Sequence, residues 1–219
     1  MRRTLSRREA LKALAAAGAS AAVLPAAVEA AAVAPAPSPE EVAGMETIKR
    51  RLREAALAGA PPAAEAERYL RALRPDGTWA DIDYADRTTS SWKTSAHLSR
   101  LRAMALAYRR PAAGTASAEL RRGVFLALDN WLTRDYQTPN WWHNVIGTPQ
   151  SISTLLLLLE PELSPEQMQA GLRILGRAKL GMTGQNLVWV AELTVRRGCL
   201  SGDAAAVKRR NRIHLVESE

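Results

Sequence analysis

The sequence predicts an all-α fold built of antiparallel helical hairpins. Segments whose apolar residues recur at helical spacing alternate with polar loops, and no segment has the alternating pattern of a strand. Alanine and leucine dominate the chain, whereas aromatic residues make up 5% of it, and this composition favours helices over strands. At 219 residues the chain is long enough for one domain with its own core.

Seven helices are predicted along the chain. The first runs for about five turns, because apolar residues recur at helical spacing from Val42 to Leu52. The sixth begins after Ser164, which can cap it, with Pro165 at the first helical position and Gln167 completing a capping box. The others are predicted at 61–73, 94–108, 117–132, from 149 onward and at 185–200.

Two predicted loops carry most of the unusual residues. Pro75-Asp76-Gly77 is a strong turn signal, and the polar segment 78–93 follows it as a long loop. Residues 139–149 are predicted to form the second loop, which contains Trp141 and Trp142 and ends in a Gly-Thr-Pro turn before five consecutive leucines.

Residues 1–31 are predicted to be a twin-arginine signal peptide. The pair Arg7-Arg8 precedes an alanine-rich apolar run, and small residues follow in a cleavage zone at 30–32. The alternative is an amphipathic or membrane helix, which the short, weakly apolar run and Pro25 disfavour. We therefore expect a bacterial protein that is secreted or otherwise extracytoplasmic, with residues 32–39 as a Pro/Ala linker.

The charge and the cysteine content bound the possible partners. The formal charge is +8, of which residues 1–31 carry +3 and residues 32–219 carry +5, and a mildly basic exported protein suits a polyanionic target. A basic tail is predicted at 208–219; such a run is usually a solvated face, so we expect no nucleic acid partner and no membrane contact after signal cleavage. The single cysteine, Cys199, excludes an internal disulfide and is expected to lie in the core.

The adjacent tryptophans Trp141 and Trp142 are candidates for a sugar-binding platform. Successive side chains diverge, so at least one of the two should be exposed or line a cleft, and a flat indole face suits the apolar face of a sugar ring. The alternative is that both cover a helix end as core residues. Trp79 and Trp92 flank the first predicted loop and are each more typical of a core.

The remaining polar residues give no sign of a metal site or a cofactor. The three histidines are widely spaced and lack neighbouring ligands, and no nucleophile elbow, phosphate loop or dinucleotide fingerprint is present. Asp81, Asp83 and Asp86 could serve a glycosidase, although a carboxylate cluster on a polar loop is usually just solvated. The histidines are His97, His143 and His214.

Asn186 stands in the segment Thr183-Gly184-Gln185-Asn186, at the start of the last predicted helix. An asparagine at this place usually caps the helix. Alternatively, its amide points into a cleft and binds an anion beside the positive end of the helix dipole.

Two motifs together resemble polysaccharide lyase family 8, which contains the hyaluronate, chondroitin AC and xanthan lyases. They are NWWHNVIGTPQ, which begins at Asn140, and TGQN, which begins at Thr183 about forty residues later. The segment WKTSAHLSR at 92–100 and the triplet RRG at 196–198 also fit the N-terminal α domain of that family. The resemblance covers 40–207, which we predict to be the lyase domain.

The resemblance implies a partial α/α toroid whose long cleft binds an acidic polysaccharide and cleaves it next to a uronate by β-elimination. It assigns Asn186 to the substrate carboxylate, where the amide stabilises the developing anion. Trp141 and Trp142 match the aromatic patch that positions the chain, and Asn140 is expected to hydrogen-bond sugar hydroxyls. Arg100 is expected to grip a substrate carboxylate bidentately.

The chain departs from the family pattern in two places. The turn reads His143-Asn144-Val145, where the family has an acidic residue before Ile-Gly. The family's base and its partner, a tyrosine and a histidine in a later Gln-His-Gly segment, match nothing before Glu219. We therefore expect this chain to be a very poor enzyme. The alternatives are a non-catalytic carbohydrate-binding remnant and a partial toroid that does not fold alone.

Overall fold

The computed structural model describes residues 36–110 and 118–208, and all the elements below belong to a unit that begins at Pro37. The predicted signal peptide, half of the linker and nearly all of the basic tail lie outside these ranges. Within them, no helix is both long enough and apolar enough to span a bilayer.

The described residues form seven helices of ten residues or more. They are α1 Pro39–Ala58, α2 Ala63–Ala72, α3 Ala96–Arg109, α4 Ala118–Arg134, α5 Thr148–Leu159, α6 Pro165–Leu175 and α7 Gly184–Ser201. The described ranges contain no strand, and their only extended pairing is an isolated bridge between Leu73 and Trp79. The all-α prediction is confirmed.

Capping boxes start two of the helices. Before α6, the hydroxyl of Ser164 accepts from the backbone N–H of Gln167, whose side chain accepts from the N–H of Ser164, as the sequence predicts. Ser38 and Glu41 form the same reciprocal pair before α1, so this helix begins at the end of the predicted linker.

The helices pack as successive hairpins in two layers. The helices α3, α5 and α7 form one layer, α2, α4 and α6 form the other, and α1 packs against the first layer. Because neighbouring helices of a hairpin run in opposite directions, the N-termini of α3, α5 and α7 meet at one end of the bundle. Trp92, Trp142 and Trp189 lie at this end.

Helix α5 lies at the centre of the core. It contacts α1, α3, α6 and α7, so its five leucines at 155–159 are each at most 3% exposed. A helical segment that is apolar on every side, as the second half of α5 is, is stable only when it is enclosed in this way. Cys199 is also buried, as predicted.

The loop at 78–93 is anchored by the aromatic core beneath it. Trp79 and Trp92 are buried, as predicted, and Trp79 Nε1 donates to the carbonyl of Tyr69 at 2.9 Å. His97 Nε2 lies 2.9 Å from the carbonyl of Ala127, which can only accept, so Nε2 carries the proton. Nδ1 therefore accepts from the hydroxyl of Tyr84 at 3.0 Å.

Candidate functional site

The double-tryptophan segment is helical, which corrects the prediction of a loop at 139–149. Residues 141–142 are helical, a π-helical turn follows at His143–Gly147, and the chain continues directly into α5. Asn140 caps this helix, because its side-chain oxygen accepts from the backbone N–H of Trp142 at 3.0 Å. The sequence Gly-Thr-Pro predicts a β-turn, but in the structure Pro149 lies in the first turn of α5. Proline is tolerated there, because a backbone N–H at this position would have no partner within the helix.

The two tryptophans diverge, as predicted, even though the segment is helical. Trp141 is 51% exposed, whereas the ring of Trp142 turns inward over Gly147. A Cβ at Gly147 would lie 2.7 Å from Trp142 Cζ3, so the glycine makes room for the indole. Trp142 also meets Trp189 of α7 edge to face, with ring centroids 5.7 Å apart.

Asn186 is the third residue of α7 and does not cap it. The cap position is Thr183, and the Asn186 side chain forms no hydrogen bond with any residue that the structure describes. Because residues three apart share a helix face, Asn186 lies on the same side of α7 as Trp189. A half-buried amide without a partner therefore stands one helical turn from the Trp142–Trp189 pair.

The first loop is joined to the tryptophan segment by hydrogen bonds to two loop carbonyls. Asn140 Nδ2 donates to the carbonyl of Thr89 at 2.5 Å, and the Thr138 hydroxyl donates to that of Thr88 at 3.0 Å. The Asn144 side-chain amide in turn accepts from the backbone N–H of Thr138 and donates to the Thr138 carbonyl. Both ends of the Asn140 amide are thus engaged within the protein, so its expected contact with sugar hydroxyls stays a prediction.

His143 lies half-buried between two tryptophans. Its ring centroid is 5.4 Å from those of both Trp92 and Trp142. Burial lowers the pKa of His143, so the ring is neutral at neutral pH. No group of three histidine, cysteine or carboxylate side chains suited to a metal ion is found in the described part of the chain.

Arg100 is engaged by a carboxylate of the protein itself. Its guanidinium donates to both oxygens of Asp81, at 2.7 and 2.6 Å, and stacks over the ring of Tyr69. The hydrogen bond from Arg100 lowers the pKa of Asp81 to about 2. To grip a substrate carboxylate, as the sequence predicts, Arg100 would have to exchange this partner.

The three aspartates of the first loop have structural partners. Asp81 pairs with Arg100, Asp83 accepts from the backbone N–H of Ala85, and buried Asp86 accepts from the N–H groups of Thr88 and Lys93. These contacts favour the reading of the cluster as a loop scaffold over a glycosidase pair.

Sequence reasoning missed Trp189. It follows Asn186 by three residues, so helical spacing alone places the two on one face once α7 is predicted. What the sequence could not show is that Trp142, nearly fifty residues earlier, packs on this face.

Residues 61–213 match a family sequence profile that is described as "Polysaccharide lyase family 8, N terminal alpha-helical domain". The chain belongs to polysaccharide lyase family 8. Among curated family-8 relatives, the hyaluronate lyase of Thermasporomyces composti is 36% identical over 149 residues, covering 63% of this chain and 19% of that one. The chondroitinase-AC of Pedobacter heparinus is 30% identical over 145 residues, covering 64% and 21%.

Solved structures confirm the partial α/α toroid. A chondroitinase AC lyase, solved with bound oligosaccharides, aligns with a TM-score of 0.66 at 27% identity, over 76% of this chain and 26% of that one. A Paenibacillus xanthan lyase aligns with a TM-score of 0.64 at 22% identity, over 76% and 18%, and shows the fold alone. The chain thus spans about a fifth to a quarter of these relatives' lengths.

Proposed function

We propose that this chain is the N-terminal α part of an exported polysaccharide lyase. The substrate class is an acidic polysaccharide of the hyaluronate, chondroitin or xanthan type, cleaved next to a uronate by β-elimination. Family membership supports the reaction class, and the relatives named hyaluronate lyase, chondroitinase-AC and xanthan lyase support the substrate class.

The unpartnered amide of Asn186 beside the tryptophans is the observation that carries the proposal. Trp141 offers a half-exposed indole on which a sugar ring can stack. Trp142, its neighbour in sequence, packs edge to face against Trp189, one helical turn from Asn186. Asn186 can then donate N–H groups to the uronate carboxylate, close to the positive end of the α7 dipole.

This arrangement addresses the difficult step of the reaction. β-Elimination removes the weakly acidic proton from C5 of the uronate, forms the C4–C5 double bond and breaks the bond from C4 to the glycosidic oxygen, which leaves as a hydroxyl after taking up a proton. Negative charge develops on the carboxylate as the proton leaves. Asn186 stabilises that charge in the manner of an oxyanion hole, an effect typically worth about 10²–10³-fold in rate per donor.

No general base is assigned in this chain. All four tyrosine hydroxyls are hydrogen-bonded within the protein: Tyr69 to Glu65, Tyr84 to His97, Tyr108 to Glu162 and Tyr136 to Asn130. Burial raises the pKa of Tyr84 to about 12 and also raises the pKa of Tyr108 and Tyr136. These contacts favour a second candidate function, glycan binding without catalysis by this chain alone.

Binding and turnover are tested on the same preparation. We expect the chain to bind hyaluronan or chondroitin sulfate oligosaccharides with an affinity that falls with salt and is lost in a Trp141→Ala/Trp142→Ala double variant. Ultraviolet absorbance of the unsaturated uronate product measures turnover. Because no base is assigned in this chain, we expect turnover about 10²–10⁴-fold slower than that of a lyase that supplies one. Binding that the double variant retains would reject the site.

Export is tested separately. Residues 1–31 fused to a folded reporter protein should carry it across the cytoplasmic membrane of a bacterium, and Arg7→Lys with Arg8→Lys should abolish that transport. Transport that is unaffected by the double substitution would reject the twin-arginine assignment.

A further inference from the structure

We propose that a groove around Arg102 is a second subsite, which binds an anionic group of the polysaccharide beyond the Asn186 site. This inference rests on the proposed function, because it extends the same ligand along the same bundle. Arg102 lies on α3 and is exposed, and its guanidinium forms no ion pair with any residue that the structure describes.

Two cavities meet at Arg102. The first, of about 240 Å³, lies among α2, α3, α5 and the turn after α1, and its lining includes Ser99, Arg102 and Ser151. The second, of about 210 Å³, lies among α1, α3, α5 and α7, and its lining includes Arg102, Thr154 and Arg196. One side chain, Arg102, borders both cavities, and both also have α5 as a wall, so we call the two cavities together the Arg102 groove.

A stripe of residues on α5 and on the turn before it leads from the tryptophan segment toward this groove. Gly147, Ser151, Thr154 and Leu158 follow each other at spacings of four, three and four, so they share one helix face. Trp142 covers Gly147 at the top of the stripe, Ser151 lines the first cavity, and Thr154 lines the second. Seven residues of helix separate Gly147 from Thr154, a rise of about 10 Å, which a short oligosaccharide can span.

The groove contains three arginines, of which two are already paired with carboxylates. Arg53, Arg102 and Arg196 line it against a single carboxylate, Glu65. Arg196 is fixed by Glu192 and by the hydroxyls of Ser153 and Thr154, and Arg53 is fixed by Glu160. Arg102 is therefore the cation that is free to bind a ligand.

The chemistry of the groove selects a carboxylate or sulfate on a hydroxyl-rich chain. A guanidinium binds such planar or tetrahedral anions through two N–H groups. The Ser99 hydroxyl can bond a sugar hydroxyl, and the Ser151 oxygen, whose proton is donated to the carbonyl of Gly147, can accept from one. An acidic polysaccharide carries both kinds of group at every repeat.

Oligosaccharides of two lengths test the subsite with the full chain. A hyaluronan disaccharide is expected to occupy only the Asn186 site, whereas a decasaccharide also reaches Arg102 and binds more tightly. Arg102→Ala should lower the affinity for the decasaccharide about five-fold and leave that for the disaccharide unchanged, as an exposed ion pair implies. Arg173→Ala, which removes an exposed arginine of α6 in the other layer, is the matched control and should change neither.

The outcomes separate this inference from the proposed function. If Trp141→Ala weakens both oligosaccharides but Arg102→Ala binds the decasaccharide like the unaltered chain, the groove is rejected and the function stands. If neither oligosaccharide binds, the function fails. The groove is then tested alone by NMR: inorganic sulfate should shift the Arg102 Nε–H resonance more than that of Arg173, and equal shifts overturn the subsite.

Discussion

The indole rings of Trp142 and Trp189 meet edge to face, with centroids 5.7 Å apart and planes at 77°. This contact joins the start of the helical segment that leads into α5 to the first two turns of α7. It therefore fixes the distance between the tryptophan segment and Asn186, which lies on the same face of α7 as Trp189. The proposed glycan site depends on this packing, because it joins Trp142 of the first family motif to the helix that carries Asn186 of the second.

Gly147→Ala should displace Trp142 and weaken glycan binding. The new methyl group would lie 2.7 Å from Trp142 Cζ3, and the rigid ring must move, at a cost of about 1–3 kcal/mol of unfolding free energy. Isothermal titration calorimetry with a hyaluronan oligosaccharide, together with urea denaturation, measures both effects.

Gly44→Ala is the control for that substitution. Gly44 lies in α1 with nothing within 4 Å of the added Cβ, so the change should stabilise the helix by about 0.5–1 kcal/mol and leave binding intact. If Gly147→Ala binds as tightly as Gly44→Ala, the position of Trp142 does not matter for the ligand.

Asn140→Ala should destabilise the protein by about 1–2 kcal/mol, because it removes the helix cap at Trp142 and the hydrogen bond to the Thr89 carbonyl. Asn140→Ser keeps a capping oxygen but cannot donate to Thr89, and we expect an intermediate loss. Urea denaturation gives both values. An alanine variant as stable as the unaltered chain would show that Asn140 is free for sugar hydroxyls alone.

Acid should destabilise the protein through His97. Burial lowers the pKa of His97 to about 4 in the folded state, against about 6.5 in the unfolded chain. The unfolded state therefore takes up the proton first as the pH falls. The contribution of His97 to the free energy of unfolding is therefore fully present above pH 6.5. It decreases by a total of about 3 kcal/mol as the pH falls toward 4.

An NMR titration of the His97 ring checks the cause of this acid effect, and urea denaturation between pH 7 and pH 4.5 checks its size. A ring that titrates near its ordinary pKa, with no loss of stability in this range, would contradict the buried neutral state.

Lys49→Met should lower the unfolding free energy by about 2–3 kcal/mol. The Lys49 ammonium is buried against Glu160 and Glu46, each at 2.5 Å, and its loss leaves the partly buried Glu160 with Arg53 alone. Arg50→Met is the matched control, since the exposed pair of Arg50 with Glu54 should contribute about 0.5 kcal/mol or less. Equal effects of the two substitutions in urea denaturation would show that burial adds nothing to the Lys49 network.

Local signals predicted the helices well, and long-range contacts account for what sequence reasoning missed. Ser164, Pro165 and Gln167 start α6 by themselves, because a capping box is complete within one turn. At Gly147-Thr148-Pro149 the local turn signal was misleading, since the π-helical turn before α5 depends on Asn140, Trp142 and the neighbouring loop.

The same distinction explains the candidate site. Asn186, Trp141 and Trp142 were found through two sequence motifs. Helical spacing places Trp189 beside Asn186, but only its packing against Trp142 joins the two motifs. Arg100 was predicted as a substrate ligand because arginine suits carboxylates in general. The partner that it has in the structure, Asp81, stands nineteen residues away, at a spacing that carries no local signal.

The most direct test of the account is an NMR titration of the chain with a uronate-containing oligosaccharide, observing the Asn186 side-chain amide and the tryptophan indole N–H groups. We predict that Asn186, Trp141, Trp142 and Trp189 shift together with one dissociation constant. Trp79 and Trp131 of α4, whose side chains are fully buried in the core, should stay unchanged. Shifts of the tryptophans without Asn186, or of none of the four, would contradict a single glycan site built from both motifs.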